Sequence, residues 1–507
     1  MQPQQVAKLW EATQVELQGS YSNKRVVDLA KYTRETNLLR AWVVVVASPL
    51  PSLLVTFLID SIPLADPSEG VAANMAFFVR HYLCILMTTS MVIHQFRRGM
   101  YYLLPYPTKP FVRDSLVVSA FTTGSLYVLS LVIGFPVPFS SLVILPGWTT
   151  ITVAVMAVQW ASRIRETPSA VVMLIGMAKL MVCKVFMISV YPLYYHIFTT
   201  LTEKSQTAFT MLLPLIKLLM RNLFARAVRH LGDETPELVI FNADAFGSLF
   251  VSYCMQSLPS IWSTMVIIAA DAILIALSLR DILRNCEGLE VLEHQIDNGP
   301  IWRHWRGTLG FKLLGGRKPT TLERAGILLE RGETKNSPPA NPRSASTVHP
   351  AETNDFRARK SKPRTPITTK YTHKVQRLLY MAEFLLLLNY IEVVIPQHFA
   401  IYLIVTYHLP NRDYYEVFIN MSESQLYETL YKLLVYWFLQ LLSLLCLDIL
   451  LRRILGLSPV RLLAFVFEKQ GDFVQIHLTY WLCYNAQCAL KHIGYDYTFH
   501  FAWLFNK

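Results

Sequence analysis

The chain has 507 residues, of which 53% are hydrophobic and only 16% are charged. Soluble domains carry about 25% charged residues, so this composition excludes an ordinary soluble protein and predicts that most of the chain meets lipid. The seven cysteines form no CxxC pair and no Cys/His ligand spacing, which excludes zinc-binding and dithiol chemistry. Because no nucleotide, metal or nucleophile motif stands out, we expect no cofactor.

Two banks of apolar segments are predicted to span a membrane. Residues 1–40 are polar and are expected to form a cytosolic N-terminal segment, while 41–282 form the first bank and 377–507 the second bank with a tail. An apolar run of about 20 residues crosses a bilayer as a helix. The predicted spans lie near 41–60, 72–95, 115–135, 139–161, 183–203, 207–226, 238–257, 261–281, 377–408, 428–450 and 472–490. The sequence thus predicts an all-α, polytopic helical membrane bundle of about 11 spans.

A basic insert, residues 283–376, separates the two banks. It holds 17 Lys and Arg against 9 Asp and Glu, which is +8 of the chain's net +12. Residues 301–314 combine Trp and Leu with Arg and Lys, so they either lie on anionic inner-leaflet lipid or pack on the bundle. Residues 333–369 are rich in Pro, Ser, Thr and charge and are expected to be disordered. Beside spans, such basic residues favour lipid over nucleic acid as a partner.

Loop charge predicts the orientation of the bundle. The loop with Arg97, Arg98, Lys109 and Arg113 is basic, while residues 61–71 contain no Lys or Arg. Short basic loops stay in the cytosol, so the N-terminus and the insert are expected there. The same threading places residues 409–427 outside, where the sequon at Asn420 predicts glycosylation. The sequence leaves open whether the membrane is the plasma membrane or an endomembrane.

Polar residues at membrane depth concentrate in the last three spans of the first bank. The span 207–226 places Lys217 and Arg221 on one face, and the eighth span carries Asp271 near its midpoint. The span 238–257 repeats a polar residue at every fourth position: Asp244, Ser248, Ser252 and Gln256. Charged groups inside a span cost about 2.5–3.5 kcal/mol each, so each needs a partner or a purpose.

The helical rise predicts which of these groups meet. Lys217 and Asp244 lie roughly level, so Asp244 is expected to pair with either Lys217 or Arg221, and Lys217 is the cation that can approach Asp271. One interpretation is that the polar groups satisfy one another and lock the bundle. The other is that they line a water-accessible pathway or a ligand site.

A second candidate site lies in the span 377–408. Pro396 is expected to kink this helix and to free the carbonyl of Glu392, beside the Glu392 carboxylate and one turn from Asn389. Such a cluster of oxygens could bind a cation or a proton, as in the broken helices of transporters. The alternative is a structural kink that neighbouring polar groups satisfy. Asp448 is simpler, because Arg452 lies one turn further on and predicts an ion pair.

Several short segments resemble a multi-pass transmembrane family that is expanded in oomycetes. They are 231–237 (LGDETPE), 241–242 (FN), 253–256 (YCMQ), 390–392 (YIE), 408–412 (HLPNR) and 494–499 (GYDYTF). The similarity covers both banks, with the insert variable. The resemblance implies a topology and no mechanism, and it implies that Asn242, Gln256 and Glu392 belong to the shared pattern.

Three functions are compatible with these residues. The leading hypothesis is a transporter- or channel-like protein for a small solute or ion, with a polar pathway along Lys217, Asp244 and Asp271. The alternative is a receptor or scaffold that works through the basic insert. An enzyme ranks third, since no acidic or Ser/His/Asp motif stands at the predicted membrane surface.

Overall fold

The computed structural model describes residues 13–254, 261–298, 319–336, 367–419, 421–496 and 501–505. In these ranges the chain is helical, and we number the α-helices in chain order. The first part contains α1 Asn23–Glu35, α2 Leu38–Ala47, α3 Leu50–Asp60, α4 Met75–Gly99, α5 Thr108–Ile133, α6 Ser140–Glu166, α7 Pro168–Thr200, α8 Glu203–Thr210, α9 Leu212–Val228, α10 Thr235–Val239, α11 Ala245–Cys254 and α12 Ile261–Cys286. The second part contains α13 Leu289–Asp297, α14 Thr321–Asn336, α15 Ile367–Tyr407, α16 Glu423–Leu455, α17 Pro459–Lys469, α18 Gly471–Cys488 and α19 Ala502–Phe505. The all-α prediction is confirmed.

Seven helical segments among the described residues are long and apolar enough to cross a membrane. They are Leu38–Asp60, Met75–Gly99, Thr108–Ile133, Ser140–Glu166, Ala170–Phe198, Ile367–Tyr407 and Glu423–Leu455. The outer helices among them present apolar side chains outward, with Val132 78%, Val158 81% and Val172 73% exposed. Lipid is the solvent that suits such faces, so the fold is that of a membrane-embedded helical bundle.

The predicted number of about 11 spans is not confirmed. The predicted span 207–226 is divided between α8 and the 17-residue α9. The predicted span 238–257 begins with the five-residue α10 and a π-helical turn, Ile240–Asp244, before α11. Both segments carry polar residues that interrupt the apolar run, and their helices are shorter than the roughly 20 residues of a simple span.

The helix α15 forms the centre of the bundle. It is 41 residues long, and its most apolar stretch is wholly buried inside the protein. It packs against α16, α11 and α12, and on the other side against α13 and α14. Pro396 lies inside this helix, which continues to Tyr407. An apolar helix surrounded by other helices needs no polar face, so its buried Glu383 and Glu392 call for specific partners.

The flanks of the insert pack back onto the bundle. Arg324 of α14 forms ion pairs with Glu293 (2.8 Å) and Asp297 (3.4 Å) of α13, and the Tyr371 hydroxyl donates to Glu293. Residues 333–336 belong to α14 and 367–369 to α15, so the margins of the predicted disordered segment are helical. The remainder of that segment and residues 301–314 lie outside the described residues.

Candidate functional site

Lys217 lies between two carboxylates in the middle of the bundle. Its Nζ is 3.3 Å from Glu392 Oε1 of α15 and 3.9 Å from Asp271 Oδ2 of α12. All three side chains are buried. Glu392 Oε2 and Asp271 Oδ2 have no hydrogen-bond partner among the described residues. One ammonium group therefore serves two carboxylates and leaves an oxygen of each unsatisfied.

Arg221, one helical turn after Lys217, binds Asp244 with both ends of its guanidinium. The Arg221 Nη2 to Asp244 Oδ1 distance is 2.6 Å and the Nε to Oδ2 distance is 3.2 Å. Of the two pairings predicted for Asp244, the structure has the one with Arg221. Such a two-point contact fixes both side chains, because a planar guanidinium fits a carboxylate in only a few orientations.

The π-helical turn positions Asp244. A π-turn leaves helical carbonyl groups without their usual donors, and here the Trp481 indole donates to the Phe241 carbonyl at 3.0 Å. The following Gly247 lies against the stem of Lys217, and a Cβ there would be 3.3 Å from Lys217 Cγ. The absence of a side chain at Gly247 lets the lysine pass between α11 and α15.

The other polar residues of the predicted span 238–257 make fewer contacts with the neighbouring helices. The Ser252 hydroxyl donates to the Ser248 carbonyl at 2.9 Å, a bond within the helix. The Ser248 hydroxyl is buried with no partner among the described residues, and Gln256 lies outside those residues. Lys217, Arg221, Asp244 and Asp271 are thus brought together, and of the serines Ser248 retains an unused hydroxyl.

Asn389 and Glu392 have separate partners. The Asn389 amide donates to the Leu385 carbonyl at 2.9 Å and accepts from the Ser443 hydroxyl at 3.0 Å. Glu392 instead faces Lys217. The Glu392 carboxylate thus joins the polar residues of the first bank, and the predicted cation or proton site at Asn389 and Glu392 stays a prediction. The predicted glycosylation site, Asn420, lies outside the described residues.

We call Lys217, Arg221, Asp244, Asp271 and Glu392 the central cluster. Among the described residues it combines three carboxylates with two cations. A small cavity of about 20 Å³ adjoins Lys217, Asp271 and Glu392 and extends to Gln14 and Ser278. A space of about 10–15 Å³ is enough for one water molecule. The central cluster is therefore closely packed, with room for about one small species beside its carboxylates.

The N-terminal segment covers one end of this cavity. Glu16 is buried there and accepts a hydrogen bond from Ser278 at 2.7 Å, and Asn222 donates to the Thr13 carbonyl at 2.8 Å. The sequence did not predict the contact between Glu16 and Ser278, because Glu16 is a single acidic residue in a polar segment. The first residues described in the chain thus form a wall of the cavity.

Sequence reasoning missed an inner cluster formed by Arg25, Glu237 and Glu383. Arg25 of α1 contacts Glu237 at 2.5 Å and Glu383 of α15 at 2.7 Å, and the Tyr21 hydroxyl also donates to Glu383. The available signal was a charged residue, Glu383, within the apolar run of a predicted span. Its partner could not be identified, since Arg25 lies 358 positions earlier.

An outer cluster was missed as well. Arg80 of α4 is fully buried and donates to Asp60 of α3 and, at 2.5 Å, to the Tyr415 hydroxyl. Here one cation meets one carboxylate, in contrast to the central cluster. In the outer cluster the charges of Arg80 and Asp60 balance each other, so no excess charge is left to attract an ion.

The fold and these clusters define a class: membrane-embedded, all-α proteins with ionisable groups buried between the helices. No family model, curated protein or solved structure matches the chain. The resemblance to the oomycete-expanded family therefore stays a prediction.

Proposed function

We propose that the protein is a multi-pass membrane transporter or channel-like protein in which the central cluster binds a proton or a small monovalent cation. One observation carries the proposal. Lys217, Asp271 and Glu392 are buried together beside a cavity, and these three residues supply two carboxylates for one cation. An excess negative charge in the low-dielectric interior is costly. A bound proton or cation removes that cost.

The closed geometry supports an occluded state of such a protein. The cavity of about 20 Å³ accommodates one small species. Gln14 and Ser278 form its end, and Glu16 holds Ser278 by a hydrogen bond. In the proposed cycle, withdrawal of the N-terminal segment opens this end to water, and the ion leaves Asp271 and Glu392 in that direction.

Ion flux into liposomes tests the proposal. The purified full chain is reconstituted into vesicles of phosphatidylcholine and phosphatidylglycerol that contain a pH-sensitive dye, and an imposed potassium diffusion potential drives proton uptake. Parallel vesicles contain sodium- or potassium-sensitive dyes. We expect flux of at least one of these cations above that of protein-free vesicles. Asp271→Asn and Glu392→Gln should each reduce it strongly, because each removes a carboxylate from the site.

Asp448→Asn is the matched control, since Asp448 pairs with the half-exposed Arg452 at 2.8 Å and lies outside the central cluster. Its flux should equal that of the wild type. Absence of proton, sodium and potassium flux in well-folded wild-type protein would contradict the proposal. Undiminished flux in the double variant Asp271→Asn/Glu392→Gln would exclude the central cluster as the site.

A receptor or scaffold that works through the basic insert is the second candidate. It is favoured by the anchoring of both flanks of the insert, since Arg324 and Tyr371 both hold Glu293. Anionic inner-leaflet lipid is the proposed partner of this basic region. Deletion of residues 337–366 should then alter the membrane distribution of the protein without changing cation flux; an unchanged distribution would argue against this function.

A further inference from the structure

A second buried lysine, Lys184 of α7, has surroundings unlike those of Lys217. Its side chain is only 2% exposed, and no carboxylate of the described residues lies within 4 Å of its Nζ. Its two partners are neutral: Gln95 Oε1 at 2.8 Å and His477 Nε2 at 3.4 Å. His477 uses its other ring nitrogen at the Phe473 carbonyl (2.8 Å). Charging a buried lysine without a counter-ion is costly, so a bound anion would stabilise the ammonium form of Lys184.

A second unused donor lies beside Lys184. The Nε2 of Gln95 is buried and has no hydrogen-bond partner among the described residues. An ammonium group can donate three hydrogen bonds, and Lys184 has two acceptors. Lys184 therefore has one free hydrogen-bond donor and the Gln95 amide nitrogen has two, which is enough for the two oxygens of a carboxylate.

Lys184 also lines an apolar cavity. A cavity of about 110 Å³ between α4, α6, α7 and α18 includes Lys184 in its wall. A larger cavity of about 390 Å³ adjoins it, and the two share Val92, Trp148, Met181 and Val185. Val153 and Val182 of the larger cavity are exposed on the outer surface of the bundle. The combined space is of the size of a small-molecule pocket and opens sideways toward lipid.

We propose that this space, the Lys184 site, binds a long-chain fatty acid. Its carboxylate accepts hydrogen bonds from Lys184 and Gln95, and its hydrocarbon chain lies in the two apolar cavities. A third cavity, which adjoins Gln95 and His477, measures only about 20 Å³, so the polar end is narrow and has no room for the glycerol phosphate of a phospholipid. The Lys184 site is separate from the central cluster, and its test is independent of cation transport.

Photoaffinity labelling of the full chain tests the site. The protein, in phosphatidylcholine nanodiscs, is labelled with palmitic acid that carries a diazirine, with the corresponding palmityl alcohol, or with a diazirine phosphatidic acid. We expect saturable labelling of α4, α6 or α7 by the acid, competition by unlabelled palmitate, and much weaker labelling by the alcohol. Lys184→Met should reduce labelling by the acid by about 10- to 100-fold, which is the usual strength of a hydrogen bond to a charged group.

Two variants serve as controls. Lys179→Met removes an exposed lysine from the same helix and should leave labelling unchanged, while Lys184→Arg keeps the charge and should retain most of it. A further variant, Ala178→Phe, fills part of the larger cavity and leaves Lys184 unchanged. It should weaken labelling by palmitate, but it should weaken the ability of the shorter octanoate to compete for the site less.

Equal labelling by acid and alcohol would overturn the proposal, as would undiminished labelling of Lys184→Met. Labelling by phosphatidic acid that equals that of palmitate and depends on Lys184 would replace the fatty acid by a phospholipid. If Lys184→Met does not elute as a single folded species, the Ala178→Phe result decides: unchanged palmitate labelling in that variant overturns the site.

Discussion

Lys217 and Lys184 are both buried in the bundle, and they differ in what surrounds them. Lys217 faces two carboxylates, Glu392 and Asp271, at 3.3 and 3.9 Å. Lys184 has two neutral partners, Gln95 and His477. Lys217 neutralises carboxylates that the fold places around it, while Lys184 has no carboxylate of the described residues within 4 Å. The partners of a buried lysine therefore indicate whether it stabilises the fold or is available to bind an anion.

Lys217→Met should have the largest effect. It leaves Asp271 and Glu392 buried without their cation, and breaking a buried ion pair in this way costs about 3–5 kcal/mol. Unfolding in mixed detergent and SDS should show a loss of this size, or the variant should fail to accumulate. The triple variant Lys217→Met/Asp271→Asn/Glu392→Gln should recover much of the loss. A loss no larger than that of Lys184→Met would contradict the distinction between the two lysines.

Arg221→Lys should have an intermediate effect. Lysine keeps the positive charge opposite Asp244 but cannot reproduce the two parallel contacts at 2.6 and 3.2 Å. The loss of one charge-assisted hydrogen bond is expected to lower the free energy of unfolding by about 1.5–3 kcal/mol. The same SDS titration measures it, with Arg221→Met as the more severe comparison. An unchanged midpoint would mean that Asp244 finds another donor.

Lys184→Met should have a smaller effect than Lys217→Met. No carboxylate of the described residues loses its partner, and methionine fills a similar volume in an apolar wall. The free energy of unfolding should fall by about 1–3 kcal/mol at most, because the buried acceptors on Gln95 and His477 lose a neutral hydrogen-bonding partner and not an ion pair. Thermal unfolding in detergent, followed by size-exclusion chromatography, measures this change. Destabilisation as great as that of Lys217→Met would reveal a counter-ion of Lys184.

Asp448→Asn should have the smallest effect. Asp448 and Arg452 form an ion pair one helical turn apart, at 2.8 Å, and the arginine is half-exposed. This pair confirms the contact that the sequence predicts. Exposed pairs of this spacing contribute about 0.3–0.5 kcal/mol, so the unfolding midpoint should barely move. A loss of several kcal/mol would show that a partly exposed ion pair stabilises this bundle as much as a buried one.

The sequence predicted the helical class and the polar face of the central cluster. Lys217 and Arg221 are four residues apart, and this spacing alone places them on one face of a helix. Asp244 lies close in the chain, which limited its partners to these two cations. By contrast, Glu392 comes 175 residues after Lys217. Periodicity identifies the faces of helices, but it does not identify which distant faces meet.

The predicted number of spans is not confirmed, and the reason lies in the helix boundaries. A run of apolar residues identifies a segment that can face lipid, but it does not identify the residues at which the helix begins and ends. The helix α7 begins at Pro168, well before the predicted span 183–203, although proline at the first helical position is a start signal. The π-turn that ends at Asp244 had no evident sequence signal. It shortened a predicted span and at the same time positioned a charged residue.

The inner cluster also sets the order in which the protein can be built. Arg25 is synthesised early, but its partner Glu383 follows 358 residues later. Until α15 enters the membrane, Arg25 can meet Glu237 but not Glu383. The contact with Glu383 is therefore a late step of biogenesis, and it marks a chain whose central helix is already in place.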